Sequence, residues 1–211
     1  MIKLFAHRGL VENNMKQNSI ASLKNAVAKG FKAVEFDIWW LDGEFFIKHD
    51  KPNEKEKFLL PRLQDYLCFG NDLEYWFDFK NLDQNNIDEA LKKLNVDLIL
   101  KKVDLAKIFF APYLTDYKLT SIISSKFRKF FSQKINFVGV CDNKNWRQEV
   151  INMIDLELID FISINHALID NDFLKKISPA KLLVWTVNDI KIINDLYLLG
   201  IDKFATDKAL I

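Results

Sequence analysis

Short apolar runs alternate with amphipathic stretches along the whole chain, and this alternation limits the fold more than any other feature. Apolar runs fall at residues 2–6, 33–40, 44–48, 74–80, 108–111, 135–140, 161–164, 181–187 and 204–205. Between them, residues 19–29, 61–68, 87–102, 119–131, 147–156, 173–177 and 190–199 carry apolar side chains at helical spacing. Asp42-Gly43 is a hairpin turn signal, so 44–48 reads as the return arm of the second run. With that arm set aside, eight β-then-α units remain, the last truncated. Such alternation argues for a parallel sheet covered by helices. Eight units in one domain, 1–211, favour closure into a (β/α)₈ barrel over an open doubly wound sheet. The loops must be short, since barrels of this kind begin at roughly 200 residues.

Composition narrows the function classes. Thirty Lys and Arg against 29 Asp and Glu leave a net charge of +1, which is no nucleic-acid footprint. No uncharged apolar run reaches the length of a membrane span, so no stable membrane insertion is expected. His7-Arg8 arrives too soon for a signal-peptide apolar region. Cys68 and Cys141 form no CxxC and read as reduced thiols in or near the core of a cytoplasmic protein. The eighteen Phe, beside abundant Lys, Asn and Ile, reflect AT-rich codons as readily as any function.

In a barrel of this kind the active site lies at the C-terminal ends of the strands, and reactive side chains cluster at those ends. His7-Arg8 ends the first run. Glu35 and Asp37 stand at i and i+2 on the second, so both point to one face. His49-Asp50 follows the hairpin, and Asp78 and Lys80 repeat the i, i+2 spacing. Asn165-His166 and Asn188 end later runs. Three carboxylates from two strands suit one hard divalent cation, Mg²⁺ or Ca²⁺ more than zinc. Without a cation they would repel one another unless paired with Lys80 and Arg8. Two histidines beside acids can divide general-base and general-acid work. Arg8 offers phosphate a two-point fork and Lys80 a point charge, so the expected substrate is small and anionic. Trp185 either packs in the core or walls the pocket. His166 either lines the pocket or serves as a hydrogen-bonded loop residue.

These residues resemble the glycerophosphodiester phosphodiesterase family. His7-Arg8-Gly9 is similar to its opening HRG, and Asn18-Ser19 with the helix to Gly30 to its PENT…A…G stretch. Glu35-Phe36-Asp37 matches E-x-D, Asp42-Gly43 the hairpin DG, His49-Asp50 the HD, and Phe77-Asp78-Phe79-Lys80 resembles the E-x-K strand. Val184-Trp185-Thr186-Val187-Asn188 matches the WTVN strand, and Gly200-Ile201-Asp202 with Thr206-Asp207 the G-x-D…TD ending. The resemblance spans residues 2–208. It implies a phospholipase-C-like (β/α)₈ barrel and metal-dependent hydrolysis of a glycerophosphodiester to an alcohol and glycerol 3-phosphate. By motif, Glu35, Asp37 and Asp78 would hold one divalent cation, Mg²⁺ or Ca²⁺, with Mn²⁺ as a further option. His7 and His49 would be the acid/base pair, and Arg8 and Lys80 would bind phosphate with Trp185 beside it.

The chain also departs from that pattern. Gln17 replaces an acid, Asp78 replaces a Glu, Trp39-Trp40 fill the start of the hairpin, and no large insertion separates His49 from Pro61. Gln17 and the two tryptophans raise a second reading, a specialised hydrolase of a glycerophosphoryl group on a nucleotide-linked or surface-polysaccharide precursor. On that reading the neutral amide suits an extra-anionic substrate. The changes at 17 and 78 raise a third, a barrel that binds phosphodiesters without turnover.

Overall fold

The computed structural model describes residues 1–114, 116–132 and 134–209. The strands are β1 (Lys3–His7), β2 (Ala33–Leu41), β3 (Glu44–Ile47), β4 (Glu74–Phe79), β5 (Ile108–Pro112), β6 (Asn136–Cys141), β7 (Phe161–Asn165), β8 (Leu182–Trp185) and β9 (Lys203–Thr206). The helices between them are α1 (Ile20–Ala28), α2 (Leu63–Tyr66), α3 (Ile87–Lys101), α4 (Tyr117–Phe131), α5 (Arg147–Asp155), α6 (Asn171–Leu174) and α7 (Ile190–Leu198). β1 pairs in parallel with both β2 and β9, so all strands except β3 close into the expected eight-stranded parallel barrel.

β1 is short, and this shapes the mouth. Its pairing with β2 ends at His7↔Glu35. From Ile38 upward the same edge of β2 is taken by β3, antiparallel, through Ile38↔Ile47 to Leu41↔Glu44. The longer β2 therefore carries a hairpin above the rim, and the chain leaving β3 returns His49 to the barrel mouth.

Alternation along β4 separates two cores. Tyr75, Phe77 and Phe79 point outward and pack under the helices, Phe77 against Phe36 and Phe110, and Phe79 against Phe45 and Phe127. Trp76 points inward and meets Phe5 edge to face at 5.7 Å. Phe5, Ala33, Trp76, Phe109, Ala111, Val138, Leu183 and Ala205 fill the barrel interior. Above that apolar plug the inward positions turn polar. The burial of these rings, on the order of 1.5–3 kcal/mol for each large side chain, holds the strands that carry the site.

Helix boundaries follow their caps. Ser19 opens α1 with a capping box to Ser22, Asp116 opens α4, and Asp170 opens α6 two residues before the expected start. α2 is only one turn long, with Arg62 and not Pro61 at its N-cap position. β8 stops at Trp185, two residues earlier than its apolar run. Cys141 is buried as expected, but Cys68 is exposed: it lies past the end of α2, where the chain turns outward. No helix among the described residues is long and apolar enough to cross a membrane.

The turn after β1 depends on one glycine. Gly9 sits at φ +76°, and a Cβ there would lie 2.5 Å from Ser22 Oγ and 2.7 Å from the Ser22 backbone carbon. Gly9→Ala should therefore cost roughly 1–3 kcal/mol from backbone strain alone, with the clash against α1 added. Thermal unfolding checks this. A drop in Tm below about 2 °C would mean the turn tolerates another conformation.

Candidate active site

The eight side chains singled out by sequence converge on one end of the barrel. His7, Arg8, Glu35, His49, Asp78, Lys80 and Trp185 line a cavity of about 210 Å³, with Trp76, Tyr113, Val140, Asp142 and Ser163 completing its wall. Asp37, one inward step above Glu35 on β2, is fully buried. Glu35, Asp37 and Asp78 each place one carboxylate oxygen within 4.8 Å of the others.

Register explains the acid cluster. Asp37 and Asp78 are direct partners in the parallel β2–β4 ladder, and Glu35 is one inward step below Asp37. Lys80 Nζ bridges the two aspartates, 2.7 Å from Asp37 Oδ1 and 2.6 Å from Asp78 Oδ2. Arg8 Nε lies 3.0 Å from Asp37 Oδ2, and Asn18 Nδ2 donates to the same oxygen at 2.8 Å. These partners outweigh the burial that opposes ionisation, and the Asp37 carboxyl is held below its ordinary range. Glu35 has weaker partners, the Arg8 backbone N–H at 3.0 Å and His7 Nε2 at 3.8 Å. Burial pushes its pKa up to about 8, with the Asp37 and Asp78 charges adding to the effect and His7 opposing it. Burial likewise raises Asp78, against the pull of Lys80. Asp78 Oδ1 is buried and accepts no hydrogen bond. A free buried lone pair among three hard oxygen donors fits a divalent cation.

His7 is oriented from behind. Its Nδ1 is 2.7 Å from Asp207 Oδ1, and Nε2 is 3.8 Å from Glu35 Oε2. Asn188 fixes Asp207 in turn, donating to Asp207 Oδ2 at 2.8 Å and accepting from the Asp207 backbone N–H at 2.7 Å. With Nδ1–H given to Asp207, the neutral ring presents Nε2 as a base. Burial disfavours the protonated ring, but Glu35 and Asp207 outweigh it, so the His7 pKa is raised. The hydrogen bond from His7 lowers Asp207 correspondingly. His49 is half-exposed, with Nδ1 2.8 Å from Asp50 Oδ1, and its backbone carbonyl accepts the Trp39 indole N–H at 3.1 Å. Trp40 is core, packed on Phe45. Trp39 thus supports the His49 loop, and Trp40 anchors the hairpin in the core.

Arg8 adopts the left-handed region, φ +57°, with its N–H on Glu35 Oε2 at 3.0 Å and Nη1 on Gln17 Oε1 at 3.2 Å. Gln17 therefore steadies the guanidinium as a neutral acceptor. His166 opens the short turn after β7, is absent from the wall of this cavity, and keeps a buried Nδ1 without a partner. Sequence reasoning assigned no role to Asp207, Asn188 or Asn18, although all three lie within the motifs it matched. Tyr113 and Asp142 were missed outright. Each follows a strand end directly, the signal that located the other residues.

No family model matches the sequence, and no curated protein matches it. Solved structures do match its fold. A glycerophosphodiester phosphodiesterase from Parabacteroides distasonis is 20% identical with a TM-score of 0.73, over 97% of this chain and 92% of that one. An Oleispira antarctica phosphodiesterase, solved with the product sn-glycerol-3-phosphate, is 18% identical with a TM-score of 0.72, over 97% and 92%. A glycerophosphodiester phosphodiesterase from Agrobacterium tumefaciens is 14% identical with a TM-score of 0.69, over 99% and 96%. This chain has the barrel fold of those proteins.

The Glu35 shift yields a measurable consequence. Its raised pKa favours the folded state most below the ordinary carboxylate value near 4.5, and this contribution is lost as pH rises toward about 8. A cation must displace that proton below about pH 8. The affinity for Mg²⁺ or Ca²⁺, and the Tm gain each gives, should therefore grow with pH and level off above about 8. Calorimetric titration across this range with proton-release measurement tests it. Cation binding independent of pH would remove Glu35 from the ligand set.

Proposed function

We propose that this chain is a cytoplasmic, metal-dependent phosphodiesterase that hydrolyses a glycerophosphodiester to an alcohol and glycerol 3-phosphate. The observation that carries the reading is the convergence of three acids, two cations and two histidines on one small cavity. The likeness in fold to phosphodiesterases, one of them solved with sn-glycerol-3-phosphate, supports it.

Glu35, Asp37 and Asp78 would hold the cation, Mg²⁺ or Ca²⁺, with Mn²⁺ as a further option. Such an ion offsets phosphate charge that repels a nucleophile. Arg8 and Lys80 hold phosphate oxygens, the first by its fork and the second as a point charge. His7 Nε2 takes the proton of the attacking hydroxyl, and the Asp207 carboxylate stabilises the imidazolium that forms. The attacking group is first the substrate's own glycerol hydroxyl, and the cyclic phosphate it forms is then opened by water. His49, on its loop above the rim, protonates the leaving alcohol. Trp76 and Trp185 exclude water from the floor and wall the glycerol moiety.

Release of glycerol 3-phosphate by the purified protein, across a matrix of Mg²⁺, Ca²⁺ and Mn²⁺, tests the reading. A folded protein that binds cation and diester yet releases no product would be a binding barrel and not an enzyme.

Variants apportion the roles. Glu35→Gln and Asp37→Asn should each remove most activity with the fold retained, while excess cation partly rescues Asp78→Asn. His7→Ala and His49→Ala should each lower kcat by roughly 10²–10⁴, and the double variant by less than the product of the two. Asp207→Asn removes the anion that raises His7, so the acid limb of the pH–rate profile should move to lower pH. An unmoved limb would dissociate His7 from the base role.

A further inference from the structure

Phe58 and Leu59 are neighbours in the chain, and they are 79% and 87% exposed. Both sit on a single 3₁₀ turn, Lys57–Leu59, between β3 and α2. Ion pairs pin this turn. Lys57 bonds Asp42, at the tip of the β2–β3 hairpin, and Glu54 at 2.5 Å. The hairpin stands above the barrel rim, so the apolar pair is held at that height on the His49 side of the mouth. A groove of about 510 Å³, with Ile47, His49, Leu59 and Leu60 in its wall, runs between the turn and the catalytic cavity.

Charge around the turn is sorted. The acids beside it are all paired: Asp42 and Glu54 with Lys57, Asp50 with His49 at 2.8 Å, and Glu56 with Lys48 at 2.8 Å. Lys51 and Lys55, exposed on the same loop, and Lys16, exposed on the groove wall, form no ion pair among the described residues. The charge left uncompensated is therefore positive. Two side chains on a convex turn cover far less area than a stable protein interface, which takes roughly 800 Å² from each partner. A fluid apolar medium asks for no complementary shape. Large apolar side chains beside unpaired lysines suit the boundary of an anionic bilayer, where rings and methyls enter the acyl region and ammonium groups stay among the headgroups.

We propose that the 57–59 turn is a peripheral docking element for an anionic lipid surface. Phe58 and Leu59 enter the interface, and Lys16, Lys51 and Lys55 meet lipid phosphates. The docking is reversible, since two side chains anchor far less than a span does. It turns the His49 side of the mouth toward the surface. It does not depend on which reaction the barrel performs.

Co-sedimentation with vesicles tests it. The wild type should partition onto vesicles of equal parts phosphatidylglycerol and phosphatidylcholine, less onto phosphatidylcholine alone, and less as salt rises. The double variant Phe58→Ser with Leu59→Ser should keep its Tm and lose at least tenfold in partition. Lys51→Gln and Lys55→Gln should each lose roughly fivefold. In Phe58→Trp, the introduced indole should shift its emission to the blue when vesicles are added. A wild type that stays in the supernatant overturns the proposal, as does a serine variant that binds equally well or an unshifted indole in vesicle-bound protein. Sedimentation equilibrium supplies the remaining arm: a dimer that the serine changes abolish would assign the turn to a second copy of this chain and overturn the lipid reading. Vesicle binding without hydrolysis of any diester sustains the docking and overturns the phosphodiesterase reading, so the two fail separately.

Discussion

Asp37 and Asp78 stand directly opposite one another in the β2–β4 register, with Glu35 one inward step away. Like charges so placed are destabilising in a sheet, and here Glu35 and Asp37 are buried and Asp78 partly so. The Lys80 ammonium between the two aspartates and the Arg8 guanidinium on Asp37 offset the repulsion there. They leave Glu35 uncompensated, and its carboxyl answers by holding a proton. The mouth of the barrel is organised around this unequal division. One acid is neutralised by cations, one is shared, and one is left to hold its proton. Apolar packing below, through Phe5, Trp76 and Phe109, keeps the three from moving apart.

The backbone around the cluster is irregular only where the site needs it. Arg8, Gly9 and Asn18 all adopt positive φ, and these residues wrap the cluster on its β1 side. Asn18 uses both ends of its amide on Asp37, donating to Oδ2 and accepting from the backbone N–H. Its left-handed conformation is one that asparagine tolerates better than most residues. The early end of β1 frees the upper edge of β2 for β3, and without that hairpin His49 would have no route to the mouth. Strain in the turn and truncation of a strand thus serve one end: two histidines delivered to one cavity from different elements.

Barrel closure and the residues facing its mouth were legible in the sequence because both rest on simple periodicities. Eight β-then-α units leave few topologies, and i, i+2 spacing on a strand puts Glu35 beside Asp37 and Asp78 beside Lys80 whatever the loops do. Element ends were less legible, since local caps such as Asp170 move them. Cys68 was misplaced because an apolar pattern does not register that a one-turn helix ends before it. Asp207 and Asn188 were visible as motif letters but not as a chain of hydrogen bonds behind His7. That chain joins residues 200 positions apart, and only barrel closure between β1 and β9 brings them together. Tyr113 and Asp142 belong to none of the matched motifs; each directly follows a strand end, and their hydrogen bond joins two neighbouring strands.

Two of the departures from the resembled motifs, at 78 and 17, take on physical sense at this site. Shortening the side chain at 78 by one methylene has not withdrawn it from the cluster, since an Asp78 oxygen still lies within 4.8 Å of oxygens on Glu35 and Asp37. Lys80, two residues on along the same strand, bridges both aspartates. On the proposed reading, an acid at 17 beside the Arg8 guanidinium would claim part of the charge that a phosphate needs. The Gln17 carbonyl accepts one guanidinium hydrogen bond and orients the fork without neutralising it. Four acids, Glu35, Asp37, Asp78 and Asp207, already surround Arg8, Lys80 and His7. On the proposed reading, omitting a fifth keeps the end that would hold phosphate from turning too negative for an anion.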